Sequence, residues 1–80
     1  MKYRAEVKTE DKTAKLTYDS NHKFIRRVNE NGFVNKAILE ESDFLNQVKR
    51  FESKAQQEGY YFRVDRFLDN KWITYLEVEH

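Results

Sequence analysis

The first nineteen residues constrain the fold most, because they hold two strand-period runs that complement each other on both faces. Tyr3, Ala5 and Val7 alternate with Lys2, Arg4, Glu6 and Lys8, and a second run brings Ala14, Leu16 and Tyr18 together. A two-residue turn at Glu10-Asp11 pairs Val7 with Ala14, Ala5 with Leu16 and Tyr3 with Tyr18. The same register sets Glu6 against Lys15 and Lys2 against Asp19 on the other face. A one-residue slip would mix apolar and charged partners, so the pattern specifies one hairpin.

The chain then turns at Ser20-Asn21, runs from His22 to Val28, and turns again at Asn31-Gly32, a dipeptide whose residues tolerate positive φ. Turns centred there align Leu16, Ile25 and Ile38 in a β-meander of three to four strands over residues 2–40. Residues 36–41 serve equally well as a fourth strand or as the start of a helix. From Ser42 the period becomes helical, with Phe44, Leu45, Val48, Phe51 and Ala55 on one side and Gln47, Arg50, Lys54 and Gln57 opposite. This predicts a helix over about 43–58, capped by Ser42 or Asp43 and ended by Gly59. A C-terminal β-hairpin follows, Tyr60 to Leu68 and Trp72 to Glu79. A two-residue turn at Asp69-Asn70 scatters its apolar residues over both faces, whereas a three-residue loop through Lys71 unites Tyr60, Phe62, Val64 and Leu68 with Trp72, Leu76 and Val78. The expected fold is therefore α+β, one antiparallel domain over residues 1–80. Its expected core is Val7, Leu16, Ile25, Phe44, Leu45, Val48, Phe51, Phe62, Val64, Leu76 and Val78.

Composition narrows the function. The 80 residues carry no Cys and only His22 and His80, which excludes disulfides and zinc ribbons. Hydrophobic residues at 39% with 12 aromatics are enough for a packed core, which disordered chains lack. No apolar run is longer than Tyr60-Tyr61-Phe62 and Met1-Lys2-Tyr3-Arg4 leads into no signal core, so the expectation is a cytoplasmic protein, in the host cytoplasm if phage-encoded. A net charge of +1 is too balanced for a generic polyanion binder, although residues 1–36 carry +4 and residues 37–80 carry −3.

Catalytic chemistry finds little to work with. His22 lies beside a turn and His80 ends the chain. Ser20, Ser42 and Ser53 have turn, cap and helix-surface explanations, and two glycines cannot build a phosphate cradle. Glu40, Glu41 and Asp43 suit a helix start, and no spacing suggests metal ligands or a cofactor site. A non-enzymatic chain that works by binding is the expectation.

One helix cannot cover a whole sheet, so part of the C-terminal hairpin should stay exposed. Tyr61, Arg63, Asp65, Phe67, Ile73, Tyr75 and Glu77 form the candidate partner-binding strip, with Asp65 and Glu77 selecting a basic protein surface. The alternative is a single-stranded nucleic-acid binder whose aromatics stack on bases while Arg26, Arg27, Lys36 and Arg63 hold phosphates. A homodimer through the strip or a free sheet edge is compatible with either. The style of the chain, short, free of Pro and Cys and rich in Lys, Asn, Glu and aromatics, is similar to small accessory proteins of bacteria and their phages. These include anti-CRISPR-type and other inhibitors of host or defence machinery. The expectation drawn from both lines is a small protein-binding module of the phage or mobile-element inhibitor kind.

Overall fold

The computed structural model describes all residues 1–80. Four strands, β1 (Lys2–Lys8), β2 (Thr13–Asp19), β3 (Phe24–Asn29) and β4 (Val34–Ile38), precede the helix α1 (Glu41–Glu58), and β5 (Tyr61–Leu68) and β6 (Lys71–Val78) follow it. All six strands lie antiparallel in one open sheet of order β4-β3-β2-β1-β5-β6. The fold is α+β as expected, but the three-to-four-strand meander and the closing hairpin are one six-stranded sheet. They join because β5 pairs with the free side of β1, setting Val7 against Phe62 and Ala5 against Val64.

The N-terminal hairpin has the register that its pattern dictates, from Lys2 opposite Asp19 to Val7 opposite Ala14. The later turns depart from expectation, each in a way that moves side chains. Around residues 20–23 the chain takes a four-residue connection, shifting the register by two residues and setting Tyr18 against Ile25. Asp19 closes this loop by accepting the Asn21 N–H (2.9 Å) and facing the His22 ring, and Lys23 turns the corner at φ 53°. The β3–β4 loop is odd, with Asn29 N–H donating to Phe33 C=O and Gly32 at φ 76°. That one-residue difference sets Ile25 against Ala37 instead of Ile38 and turns Ile38 to the face away from the helix, where it is 74% exposed.

At the C-terminal hairpin the turn is the two-residue Asp69-Asn70, both at positive φ (51° and 61°), as a twist-matched hairpin turn requires. The scatter that such a turn implies is repaired by a β-bulge. Val64 pairs with Leu76 but Asp65 pairs with Thr74, leaving Tyr75 as the extra residue. Phe62, Val64, Leu76 and Val78 are thereby kept under the helix, while Trp72 is turned to the opposite face, away from the side of the hairpin expected for it.

The helix begins two residues earlier than the pattern indicated, with Glu40 as its N-cap and no side-chain cap from Ser42 or Asp43. It ends on Gly59, left-handed at φ 77°, whose N–H reaches Ala55 C=O. It lies over β5 and β6 and reaches β1 and β2 through Phe44, which stacks on Tyr18 at 4.4 Å and 8° and contacts Tyr3 at 5.2 Å. Tyr18 is buried yet satisfied, since its hydroxyl donates to Leu39 C=O. Burial, with Glu40 and Glu41 nearby, pushes its pKa above the ordinary phenol value. The fully buried core is Tyr3, Ala5, Tyr18, Phe44, Val48, Ala55, Phe62, Val64 and Val78; Val7, Leu16, Ile25, Leu45, Phe51 and Leu76 pack around it half-buried. Tyr3 and Tyr18 fill the centre that shorter aliphatics were expected to fill.

Candidate interaction face

The ladders define the sheet face that no helix covers. Its rows run across the strands as Lys36-Arg26-Thr17-Arg4-Asp65-Thr74, as Val34-Val28-Lys15-Glu6-Arg63-Glu77, and as Ile38-Phe24-Asp19-Lys2-Phe67-Trp72. With Lys8 and Tyr61 at one end, the face carries seven Lys or Arg against four Asp or Glu. The interleaving of the two halves of the chain therefore does not cancel their charge difference, but concentrates it as a positive excess on this face.

Five of the seven strip residues, Tyr61, Arg63, Asp65, Phe67 and Glu77, lie on this open face. Ile73 and Tyr75 do not. Ile73 stands opposite Arg66 in the row of Tyr3, and the bulge lays Tyr75 against Tyr3 (ring centroids 6.1 Å) and under the Arg66 guanidinium (5.6 Å), all on the helix side. Trp72, expected on the core-facing side of the hairpin, takes their place on the open face. Of the basic residues, Arg26, Lys36 and Arg63 share this face, whereas Arg27 pairs with Leu16 and lies on the helix side.

The centre of the open face is built on Asp65, the only buried charged residue, 5% exposed. Its Oδ2 accepts from Arg4 Nε at 2.8 Å and its Oδ1 from Arg63 Nε at 2.9 Å. Burial alone would raise the carboxyl pKa, but the hydrogen bonds and charges of the two guanidiniums outweigh it and hold the group below the ordinary carboxylate value. Each arginine is then fixed a second time. Arg63 donates to Thr74 Oγ1 at 2.9 Å and lies 3.9 Å from Glu77, which also accepts from the Tyr61 hydroxyl. Arg4 places its guanidinium 4.4 Å from the centre of the Trp72 ring, and Trp72 meets Phe67 edge-on at 5.1 Å.

Three of the four acidic side chains of the face are thus engaged within it, and the fourth, Asp19, is engaged by the loop beside it. Asp65 holds Arg4 and Arg63, Glu6 lies 3.1 Å from Lys8 and 3.7 Å from Lys15, and Asp19 lies 2.9 Å from His22. Lys2, Arg26 and Lys36 have no acidic partner, and the Nη groups of Arg4 remain unbonded. Sequence reasoning missed Arg4 and Trp72. Arg4 was legible as an open-face residue of β1, but its meeting with Trp72 depends on the bulge.

The gap between helix and sheet, lined by Leu16, Arg27, Phe44, Phe51 and Phe62, has a volume of about 20 Å³, room for one water and no small molecule. The open face instead holds a shallow dish of about 380 Å³ between Arg4, Lys15, Tyr61, Arg63 and Asp65. No three His, Asp or Glu side chains converge in metal-ligating geometry, and no helix is long and apolar enough to cross a membrane. No family model, curated protein or solved structure matches the chain.

Proposed function

We propose that this chain is a non-enzymatic protein-binding module whose working surface is the open sheet face, and that its partner presents an acidic surface there. The observation that carries this reading is the Asp65 cluster. A buried carboxylate is costly to keep, and here it packs no core; it holds two half-exposed arginines in fixed orientations and so sets one of them on Trp72. Trp, Tyr and Arg are the residues that dominate binding energy at protein interfaces, and pre-ordering them lowers the entropy lost on association. Because the acids of the face are already engaged, a carboxylate-bearing surface suits Arg4, Lys2, Arg26 and Lys36 better than the basic surface expected from the sequence. Inhibition of host or defence machinery by a phage or mobile element fits a module of this kind, since it requires a binding face and no catalytic apparatus.

A single-stranded nucleic-acid reading draws on one observation, the positive excess with Lys36 and Arg26 side by side in one row. It is the weaker reading because Arg4 already lies over the indole ring, and because Phe24 is the single aromatic ring beside Arg26 and Lys36, where Val28, Val34 and Ile38 offer bases nothing to stack on. Fluorescence anisotropy with labelled single-stranded oligonucleotides separates the two. Under the protein-binding reading no micromolar complex forms at near-physiological salt, and a tight, steeply salt-dependent complex would replace it with the nucleic-acid one.

A further inference from the structure

The edge strand β4 lies apart from the Asp65 cluster, although its Lys36 shares the open face described above. All five residues of β4 are exposed, and no buried side chain ties the strand to the core. Its attachment is its ladder with β3. In that ladder Asn29 N–H donates to Phe33 C=O at 3.1 Å and Leu39 N–H donates to Lys23 C=O at 2.7 Å. The hydrogen-bonded pairs therefore fall on the odd residues of β4, and Val34, Lys36 and Ile38 turn their N–H and C=O groups outward to the free edge. The same three residues point their side chains to the open face as an aliphatic, a cation and an aliphatic. Lys36 has no acidic partner, and neither has Arg26 directly across the ladder. The other edge of the sheet is less available, because β6 is bulged and buries Val78 under the helix.

We propose that β4 accepts an extended partner segment as a seventh, antiparallel strand, and that this segment carries apolar, acidic and apolar side chains at alternate positions. The backbone supplies the pairing and the alternate side chains supply the selection. The acidic position falls opposite Lys36, and the apolar ones fall opposite Val34 and Ile38. A second copy of the chain fits poorly. The two-fold register that pairs all three outward residues sets Lys36 against the Lys36 of the other copy, and like charges directly opposite oppose pairing.

The test is an amide-resolved NMR titration of isotope-labelled protein with three synthetic peptides. The first is acetyl-Thr-Val-Thr-Glu-Thr-Ile-Thr-amide, the second replaces its Glu by Lys, and the third is the first with the Val, Glu and Ile nitrogens methylated. The first peptide is expected to shift the amides of Val34, Lys36 and Ile38 in a saturable way, and the methylated one to shift none. The lysine peptide is expected to bind about fivefold more weakly, and Lys36→Glu to reverse that preference. No shift at millimolar peptide, equal affinity for both charges, or shifts confined to Arg4 and Trp72 would overturn the proposal. So would sedimentation of the peptide-free protein as a dimer that Lys36→Glu leaves intact.

Discussion

Replacing Asp65 by Asn separates what the buried carboxylate does for the fold from what it does for the face. The change keeps shape and removes charge. It leaves one acceptor where two guanidinium N–H groups now converge at 2.8 and 2.9 Å, and turns an amide donor towards the other. A hydrogen bond to a charged group contributes about 1.5–3 kcal/mol when fully formed. Here the Arg4 and Arg63 side chains are 49% and 42% exposed and can regain water, and the neutral amide no longer carries the desolvation cost of a buried ion. The net loss expected for Asp65→Asn is therefore about 1–2 kcal/mol, equivalent to about 5–15 °C in Tm for a domain of this size. Urea denaturation followed by far-UV circular dichroism measures it directly, and the slope of the transition should be unchanged. Removing both arginines while keeping Asp65 should be worse than removing Asp65, because it strands the charge in the sheet. The triple replacement Arg4→Met, Arg63→Met and Asp65→Leu should recover most of the stability and still lose the partner. If Asp65→Asn matched the parent to within about 0.3 kcal/mol, the carboxylate would not be organising the two arginines, and the reasoning would fail.

Other consequences follow from the packing and the turns. Phe44→Ala removes a ring that is 1% exposed and stacked on Tyr18; a loss of about 3–5 kcal/mol is expected, enough to leave much of the chain unfolded at 37 °C by thermal denaturation. Asn70→Gly relaxes the second positive-φ position of the β5–β6 turn and should stabilise by about 0.5 kcal/mol, read as a higher urea midpoint. Because the folded Asp65 pKa lies below the unfolded value near 3.8, the unfolded chain binds this proton more readily. The contribution is then complete above the unfolded value and lost as pH falls through the folded one. Parent and Asp65→Asn should differ by a constant amount above about pH 5 and converge in acid.

Much of the architecture was legible because its signals are local. Apolar pairs and opposite charges fall into place together in the β1–β2 hairpin, and the helical period from Phe44 to Ala55 is unbroken. The errors came from turns whose length the sequence leaves open. Asn31-Gly32 reads as a two-residue turn, yet Asn29 and Phe33 close an odd loop around it, and Ile38 changes face. Asp69-Asn70 is disfavoured by the sequence alone because a regular ladder beyond it splits the apolar residues. The bulge at Tyr75 is set by neighbouring strands and by the burial of Leu76 and Val78, so no local pattern announces it. The candidate site inherited these errors. Tyr61, Arg63, Asp65, Phe67 and Glu77 precede the bulge or realign with it and share the open face. Tyr75 is the bulge residue itself and Ile73 lies between it and the turn; both are on the helix side, exchanging places with Trp72. The expectation of a basic partner rests on a free Asp65, and only the register shows that Asp65 is occupied by Arg4 from a strand distant in sequence, which is why an acidic partner is proposed instead.

The claim that the open face is a protein-binding surface is tested most directly by paired affinity capture from a bacterial cell lysate. The baits are the parent protein and the Arg4→Ala/Trp72→Ala variant, both shown to be folded by circular dichroism. The account predicts an acidic protein retained by the parent, released as salt is raised, and lost with the variant. Equal retention of that protein by the variant, or recovery of nucleic acid in its place, would contradict it.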